Sequence, residues 1–171
     1  MGKLYYHGTH VESGLEMAID GFILSPFEKS LKYLQKRSLE QIQFFKENYR
    51  IRFGENYSLE EIALFLSKTG YNEREIEHRV KCLSLTEQFL TALHYAIQHD
   101  TLQGGGLVLS VESSEDLMEK SPIKSDGLVI YVPGKLSLKN LKEVHISKTA
   151  QKLRKRIETA FEKYKPNYFN I

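Results

Sequence analysis

The stretch Leu4-Tyr5-Tyr6-His7-Gly8-Thr9 puts an imidazole, a residue without a side chain and a hydroxyl in direct succession. An imidazole both donates and accepts hydrogen bonds near neutral pH. Glycine lets a ligand come close to the backbone, and threonine adds a small polar contact. Together the three suit the grip of a polar ligand. The ordinary alternative is a half-buried histidine, flanked by tyrosines, that only packs.

Other chemistry-bearing patterns are thin. Cys82 is the single cysteine, which excludes an internal disulfide and any multi-cysteine zinc site. It lies in an apolar run and reads as a packed, reduced thiol. Gly104-Gly105-Gly106 lacks the Lys-Ser/Thr of a phosphate-binding loop and reads as a flexible turn.

The elements that must position His7 follow from periodicity. The run from Leu4 is rich in aromatic residues and too short for a helix, which predicts a buried strand that delivers His7 to its open end. Val11, Leu15, Ala18 and Ile19 then recur at helical spacing, and Gly21 supplies a stop. His7 is therefore expected in a turn between a strand and a helix, a common place for ligands.

From about residue 24 to 79 the pattern is helical. Ser38 with Gln41 and Ser58 with Glu61 form capping boxes. Ile42, Phe45 and Tyr49 share one face, Ile62, Phe65 and Leu66 another, and Gly70 with Asn72 precedes a short charged helix through Glu75 to Arg79. The insert is expected to pack on a sheet within a single domain spanning 1–171.

Val80 to Leu85 is predicted as a second strand, ending at Thr86 as N-cap of a helix with Phe89, Ala92, Leu93, Ala96 and Ile97 on one side. Leu107 to Val111 is a third strand. A polar loop covers Glu112 to Ser125, Gly127 to Val132 is a fourth strand, and Pro133-Gly134 makes a turn. One helical turn within Leu136 to Leu141 precedes a last strand, Glu143 to Ile146. A closing helix carries the stripe Ala150, Leu153, Ile157, Ala160 or Phe161, and Tyr164. Strands clustered at both ends around helices predict an α+β fold with a mostly antiparallel or mixed sheet.

With 171 residues, 41% of them hydrophobic and 27% charged, the chain suits one globular domain with a real core. It shows neither a basic-then-apolar leader nor an apolar stretch of membrane-spanning length, so a cytoplasmic location without membrane partners is expected. The net charge of +2 is uneven. From Ser147 onward Lys148, Lys152, Arg154, Lys155, Arg156, Lys163 and Lys165 face only Glu158 and Glu162. A solvated helix face explains that bias, and the alternative is a surface for nucleic acid or an acidic partner.

A further pattern lies in the order of the motifs. Tyr6-His7-Gly8-Thr9, Leu85-Thr86 with Ala92 and Tyr95-Ala96, Leu107-Val108-Leu109, and Val132-Pro133-Gly134 with Leu138 and Leu141-Lys142-Glu143-Val144 follow one another. This order resembles ADP-ribosyltransferases of the diphtheria-toxin and poly(ADP-ribose) polymerase branch. The resemblance spans most of the chain but not the helical insert. It implies a split sheet of two facing halves with NAD+, as substrate, in the cleft. His7 would hold a ribose hydroxyl, and Gly8 would offer its backbone to the nicotinamide amide. Thr9 would steady the turn or the adenine ribose, while Tyr95 would stack on the nicotinamide ring.

The family's glutamate is replaced at the aligned position by Asp126-Gly127. The shorter carboxylate of Asp126 would hold the ribose, stabilise the developing cation and deprotonate the acceptor; its ordinary reading is a turn aspartate. The strand tyrosine of this branch falls near Ser84, which resembles the serine of the arginine-type branch. The mixed set disfavours polymer formation and favours a single transfer to a macromolecular acceptor, protein or nucleic acid, in a toxin- or effector-like enzyme, NAD+ hydrolysis, or a decayed site. No metal is implied. Two alternatives stay open: a decayed nucleotide-binding or protein-interaction module of the same fold, and an RNA 2′-phosphotransferase, whose several arginines and second histidine are not matched by His10, His94 or His99.

Overall fold

The computed structural model describes residues 2–68, 76–102, 104–117 and 129–171. Along them run β1 (Lys3–His10), α1 (Val11–Asp20), β2 (Phe22–Leu24), α2 (Pro26–Gln35), α3 (Leu39–Phe53), α4 (Leu59–Lys68) and α5 (Ile76–Lys81). There follow β3 (Cys82–Leu85), α6 (Phe89–Leu102), β4 (Gly106–Ser113), β5 (Ile130–Pro133), β6 (Lys135–Ser137), β7 (Leu141–Ile146), α7 (Arg154–Phe161) and β8 (Asn167–Asn170). Short 3-10 turns at Leu138–Asn140, Thr149–Leu153 and Glu162–Tyr164 complete the path.

The main sheet has the order β1-β4-β7-β8, and two-stranded sheets pair β2 with β6 and β3 with β5. β1 runs antiparallel to β4 from Lys3 opposite Ser113 to His10 opposite Gly106, β4 is antiparallel to β7, and β7 is parallel to β8. The class is thus α+β with a mixed sheet, as expected. β4 is buried without interruption from Gly106 to Val111, the mark of an interior strand covered on both faces.

Contact-wise the chain forms two compact units, one of Met1–Ile23, Ser84–Val132 and Leu136–Ile171, the other of Leu24–Leu83 and Pro133–Lys135. In the first, α6 lies on one face of β1 and β4 and α1 on the other. The α6 face is built from small residues. A Cβ added to Gly8 would stand 2.2 Å from the Ala92 carbonyl oxygen, and one added to Gly106 would stand 2.0 Å from that of Ala96. The two glycines and two alanines let helix backbone touch sheet backbone. On the opposite face Leu15, Met17, Ala18, Ile157 and Phe161 are buried, the four larger side chains each worth about 1.5–3 kcal/mol of apolar transfer. Arg156 clamps Glu12 with bonds of 2.8 and 3.1 Å.

The second unit centres on Leu34, Ile62 and Ala63, flanked by Phe27, Leu31, Phe45, Tyr49, Tyr57, Leu59 and Leu66. Both capping boxes form: Ser38 with Gln41, and Ser58 with Glu61. Cys82 is a buried free thiol, and burial pushes its pKa up, away from the reactive thiolate.

Several expectations need correction. β1 does not stop at His7: pairing with β4 continues to His10, so His7, Gly8 and Thr9 lie within the strand and α1 begins directly after it. Val80 and Lys81 close α5, and the strand starts only at Cys82. A short apolar run cannot distinguish a buried helix end from a strand. β7 begins two residues early, at Leu141, and the fourth strand reaches Pro133 instead of ending at Val132. Gly127 itself lies outside the described residues, as do Gly70, Asn72 and Glu75. Thr86 does not cap α6 directly; its hydroxyl accepts from Gln88 N–H at 3.0 Å, and the Gln88 carbonyl accepts the helix's first N–H bonds, from Thr91 and Ala92. The strands β2, β6 and β8 are additions.

Candidate active site

The open edge of β1 is where the sequence-predicted residues meet. Tyr6 and Thr86 exchange both backbone hydrogen bonds, Tyr6 N–H to Thr86 O at 2.7 Å and Thr86 N–H to Tyr6 O at 3.0 Å. They form an isolated antiparallel bridge. Tyr6-His7 and Ser84 are thus brought side by side, while β3 itself pairs with β5 and the bridge falls on Thr86, just past its end. Among the described residues this pairing begins and ends within one residue pair, and no strand continues it along the next stretch of the β1 edge.

His7 stands just past the bridge. Its Nδ1 lies 2.8 Å from the Ser84 carbonyl oxygen. A carbonyl only accepts, so Nδ1 carries the proton, and it is in the neutral form of the ring that Nε2 is an acceptor. The contact orients the ring through a backbone atom and makes no use of the Ser84 hydroxyl. Ser84 itself is exposed.

Gly8 supplies the backbone. Antiparallel bonds alternate from one edge of a strand to the other with a period of two residues. Since Tyr6 directs its N–H and C=O toward Thr86, Gly8 directs its own to that same edge. Among the described residues no backbone group pairs with them. Side chains alternate in the same way, so His7 and the Gly8 Cα face opposite sides. On the Gly8 side the Tyr95 Cβ lies 2.9 Å from where a glycine Cβ would stand, and Tyr95 is 43% exposed. An edge with one donor and one acceptor is therefore flanked by an imidazole on one face and a phenol ring on the other.

The remaining candidates divide. Thr9 is 5% exposed and shares the His7 side of the strand with the wholly buried Tyr5; it occupies a packing position near Gly14. Asp126 lies outside the described residues. Its described flanks are informative. Before it, Leu117 N–H donates to the Tyr5 hydroxyl at 3.0 Å, and Asp116 accepts from Lys3 at 2.6 Å. After it, Ile130 opens β5, the partner of the strand that carries Ser84. Burial pushes the Tyr5 phenol up, which keeps it protonated while it anchors Leu117.

Sequence reasoning missed His10. Its Nδ1 accepts from Ser13 N–H at 3.2 Å and caps α1, and Nε2 lies 2.8 Å from the Ser13 hydroxyl. The available signal was its place immediately before the helical stripe. His145 bonds Glu143 at 2.9 Å and stacks on Phe169 with ring centroids 5.0 Å apart, a contact that joins β7 to β8. Among the described residues no cluster of His, Cys, Asp and Glu could hold a metal ion, and no helix is long and apolar enough to cross a membrane.

No protein-family model and no curated protein matches the sequence. Two solved structures are similar. One is Thermus sp. 2.9 DarT in complex with NAD+, with 9% identity and a TM-score of 0.50, covering 99% of this chain and 96% of that one. The other is Thermus sp. 2.9 DarT in complex with ADP-ribosylated ssDNA, with 10% identity and a TM-score of 0.50, covering 99% and 94%. The likeness is one of fold, and the chain has the ADP-ribosyltransferase-like α+β fold that these DarT structures share.

Proposed function

We propose that the chain is an NAD+-dependent ADP-ribosyltransferase that makes a single transfer to a macromolecular acceptor, and that this acceptor is a DNA strand. The observation that carries the NAD+ reading is the open β1 edge at Gly8, with His7 held by Ser84 on one face and Tyr95 rooted on the other. The residues fit the nicotinamide end of NAD+. A carboxamide offers N–H donors and one carbonyl acceptor, complementary to the edge-facing C=O and N–H of Gly8. The exposed ring of Tyr95 suits a flat heterocycle, and His7 Nε2 can accept a bond from a ribose hydroxyl.

Bound NAD+ supplies the ADP-ribosyl group, released when the bond from ribose C1′ to the nicotinamide nitrogen breaks. A nucleophilic atom of the acceptor bonds to C1′ and gives up its proton. Positive charge develops on the ribose during this exchange, so a carboxylate aligned there speeds the reaction by binding the transition state more tightly than the ground state. Asp126 is our candidate for that carboxylate and for the base that takes the proton. The choice of DNA draws support from the bound molecules of the two DarT structures, NAD+ in one and ADP-ribosylated ssDNA in the other.

The test is incubation with NAD+ labelled on its adenylate phosphate, alongside single-stranded DNA and, separately, a mixture of unfolded proteins. Label appearing on DNA in proportion to the nicotinamide released is the expected result. Nicotinamide release with label only on protein would reject the DNA acceptor and keep the transferase, whereas a folded chain that neither binds nor cleaves NAD+ would reject both.

A further inference from the structure

We propose that Lys148, Lys152 and Lys155 form a docking surface for the phosphate backbone of single-stranded DNA, an inference that rests on the DNA acceptor proposed above. The seven cations after Ser147 are not equivalent in the fold. Arg154 donates to Glu158 at 2.6 Å and also binds Asn170, Arg156 clamps Glu12, and Lys163 reaches the Ile19 carbonyl at 3.5 Å while lying over the Tyr164 ring. These three hold the C-terminal helix in place. Lys148, Lys152 and Lys155 are exposed and enter no ion pair or side-chain hydrogen bond among the described residues. The folded unit does not use their charge.

Their spacing gives the charge a direction. Lys152 and Lys155, three residues apart across the junction of the 3-10 turn Thr149–Leu153 and α7, lie on neighbouring turns of one side, and Lys148 stands at the start of that turn. Beside them lies a hollow of ≈ 590 Å³ lined by Lys152, Leu153, Lys155, Arg156, Thr159 and Ala160. Its floor is aliphatic and its rim cationic. No aromatic ring lines it, so the chemistry on offer is phosphate neutralisation with sugar packing, without base stacking or base reading.

The row also stands in reach of the β1 edge. Ser147 N–H binds Gly106 O at 3.0 Å, and Gly106 N–H binds Ser147 Oγ at 2.9 Å. Gly106 is the partner of His10 at the end of β1. His7 to His10 is about 10 Å along the strand, and two strand spacings add about 10 Å across. Ser147, and with it Lys148 at the near end of the row, therefore stands roughly 15 Å from His7, so a strand seated on the lysines can continue toward the Gly8 edge and present an acceptor atom there.

The experiment measures binding of a mixed-sequence 20-mer single-stranded DNA by fluorescence anisotropy at 50 and 200 mM salt, with nicotinamide release in the absence of DNA as a separate readout. Three neutralised phosphates predict a slope near −2 in log affinity against log salt, so wild-type binding weakens roughly 20-fold over that range. The variant Lys148→Glu/Lys152→Glu/Lys155→Glu is expected to bind at least tenfold more weakly with a flatter slope, and to release nicotinamide at the wild-type rate. Lys148→Gln/Lys152→Gln/Lys155→Gln gives the same direction with a smaller change if charge reversal disturbs folding. A variant that keeps wild-type affinity and slope overturns the surface and leaves the DNA acceptor standing. Wild-type protein that does not bind the strand while still releasing nicotinamide overturns both surface and DNA acceptor, but not the NAD+ chemistry. Tenfold tighter binding of an RNA strand of the same sequence overturns the commitment to DNA.

Discussion

His7 is oriented by a backbone carbonyl, and that decides what substitution of each partner should do. Ser84→Ala leaves the accepting atom in place, so NAD+ affinity and turnover are expected within about threefold of wild type. On the proposed role, His7→Ala would remove a contact to the ribose made already in the ground state, so both NAD+ affinity and turnover should fall, with kcat/KM lower by about tenfold or more. Calorimetry and steady-state rates on the two proteins separate the outcomes; equal losses would return the role to the Ser84 hydroxyl. At this scale the sequence was half legible. The succession His7-Gly8-Thr9 announced polar contacts, but types alone could not say that Thr9 is buried on the same side of the strand as Tyr5. Nor could they say that Ser84 works through an atom every residue possesses. His10 went unread because histidine is an unusual cap, and its bond to Ser13 exists only once the helix has formed.

The contact between α6 and the sheet explains a glycine that ligand chemistry alone would misassign. Gly8 meets the Ala92 carbonyl whether or not a ligand is bound, so Gly8→Ala forces helix and strand apart. Overpacking of this kind typically costs about 1–3 kcal/mol, which for a chain of this size lowers Tm by roughly 3–10 °C. A melt of the unliganded variant checks it, and an unchanged Tm would mean the helix can slide away freely. In α4 the capping box makes a pH prediction. Hydrogen bonds from the backbone N–H and the side chain of Ser58 hold the Glu61 carboxyl below its ordinary value of 4.5. A lowered carboxylate pKa stabilises the fold above the unfolded value, and that contribution disappears as pH falls through the folded value. The Ser58 and Glu61 amide signals should therefore shift together in an NMR titration below about pH 4.5, and Glu61→Gln should flatten the response. Both boxes were readable because Ser-x-x-Gln and Ser-x-x-Glu state their partners locally. The α5–β3 boundary was not, since Val80 and Leu83 are equally buried in a helix and in a strand.

Across the whole molecule, the order of elements and the mixed character of the sheet were legible, because the aromatic run of β1 and the run Leu107 to Val111 both pair along their length. β8 escaped notice for a physical reason. Asn167–Asn170 is only four residues long, with Tyr168 and Phe169 between two asparagines, and its strand identity comes from parallel pairing with β7 across α7, a partner that local pattern does not reveal. The Gly8 edge likewise follows from pairing that local pattern does not reveal: among the described residues a single bridge at Tyr6 and Thr86 is not continued past Tyr6. The account's central claim is that this edge binds NAD+ for cleavage with help from Asp126. It is tested most directly by nicotinamide release from wild type and Asp126→Asn, with NAD+ affinity by calorimetry and a melt of each protein. A differential contribution to the transition state predicts a loss of turnover of order 10²-fold or more, with affinity within a few-fold of wild type. Folded Asp126→Asn protein that releases nicotinamide as fast as wild type would contradict the account.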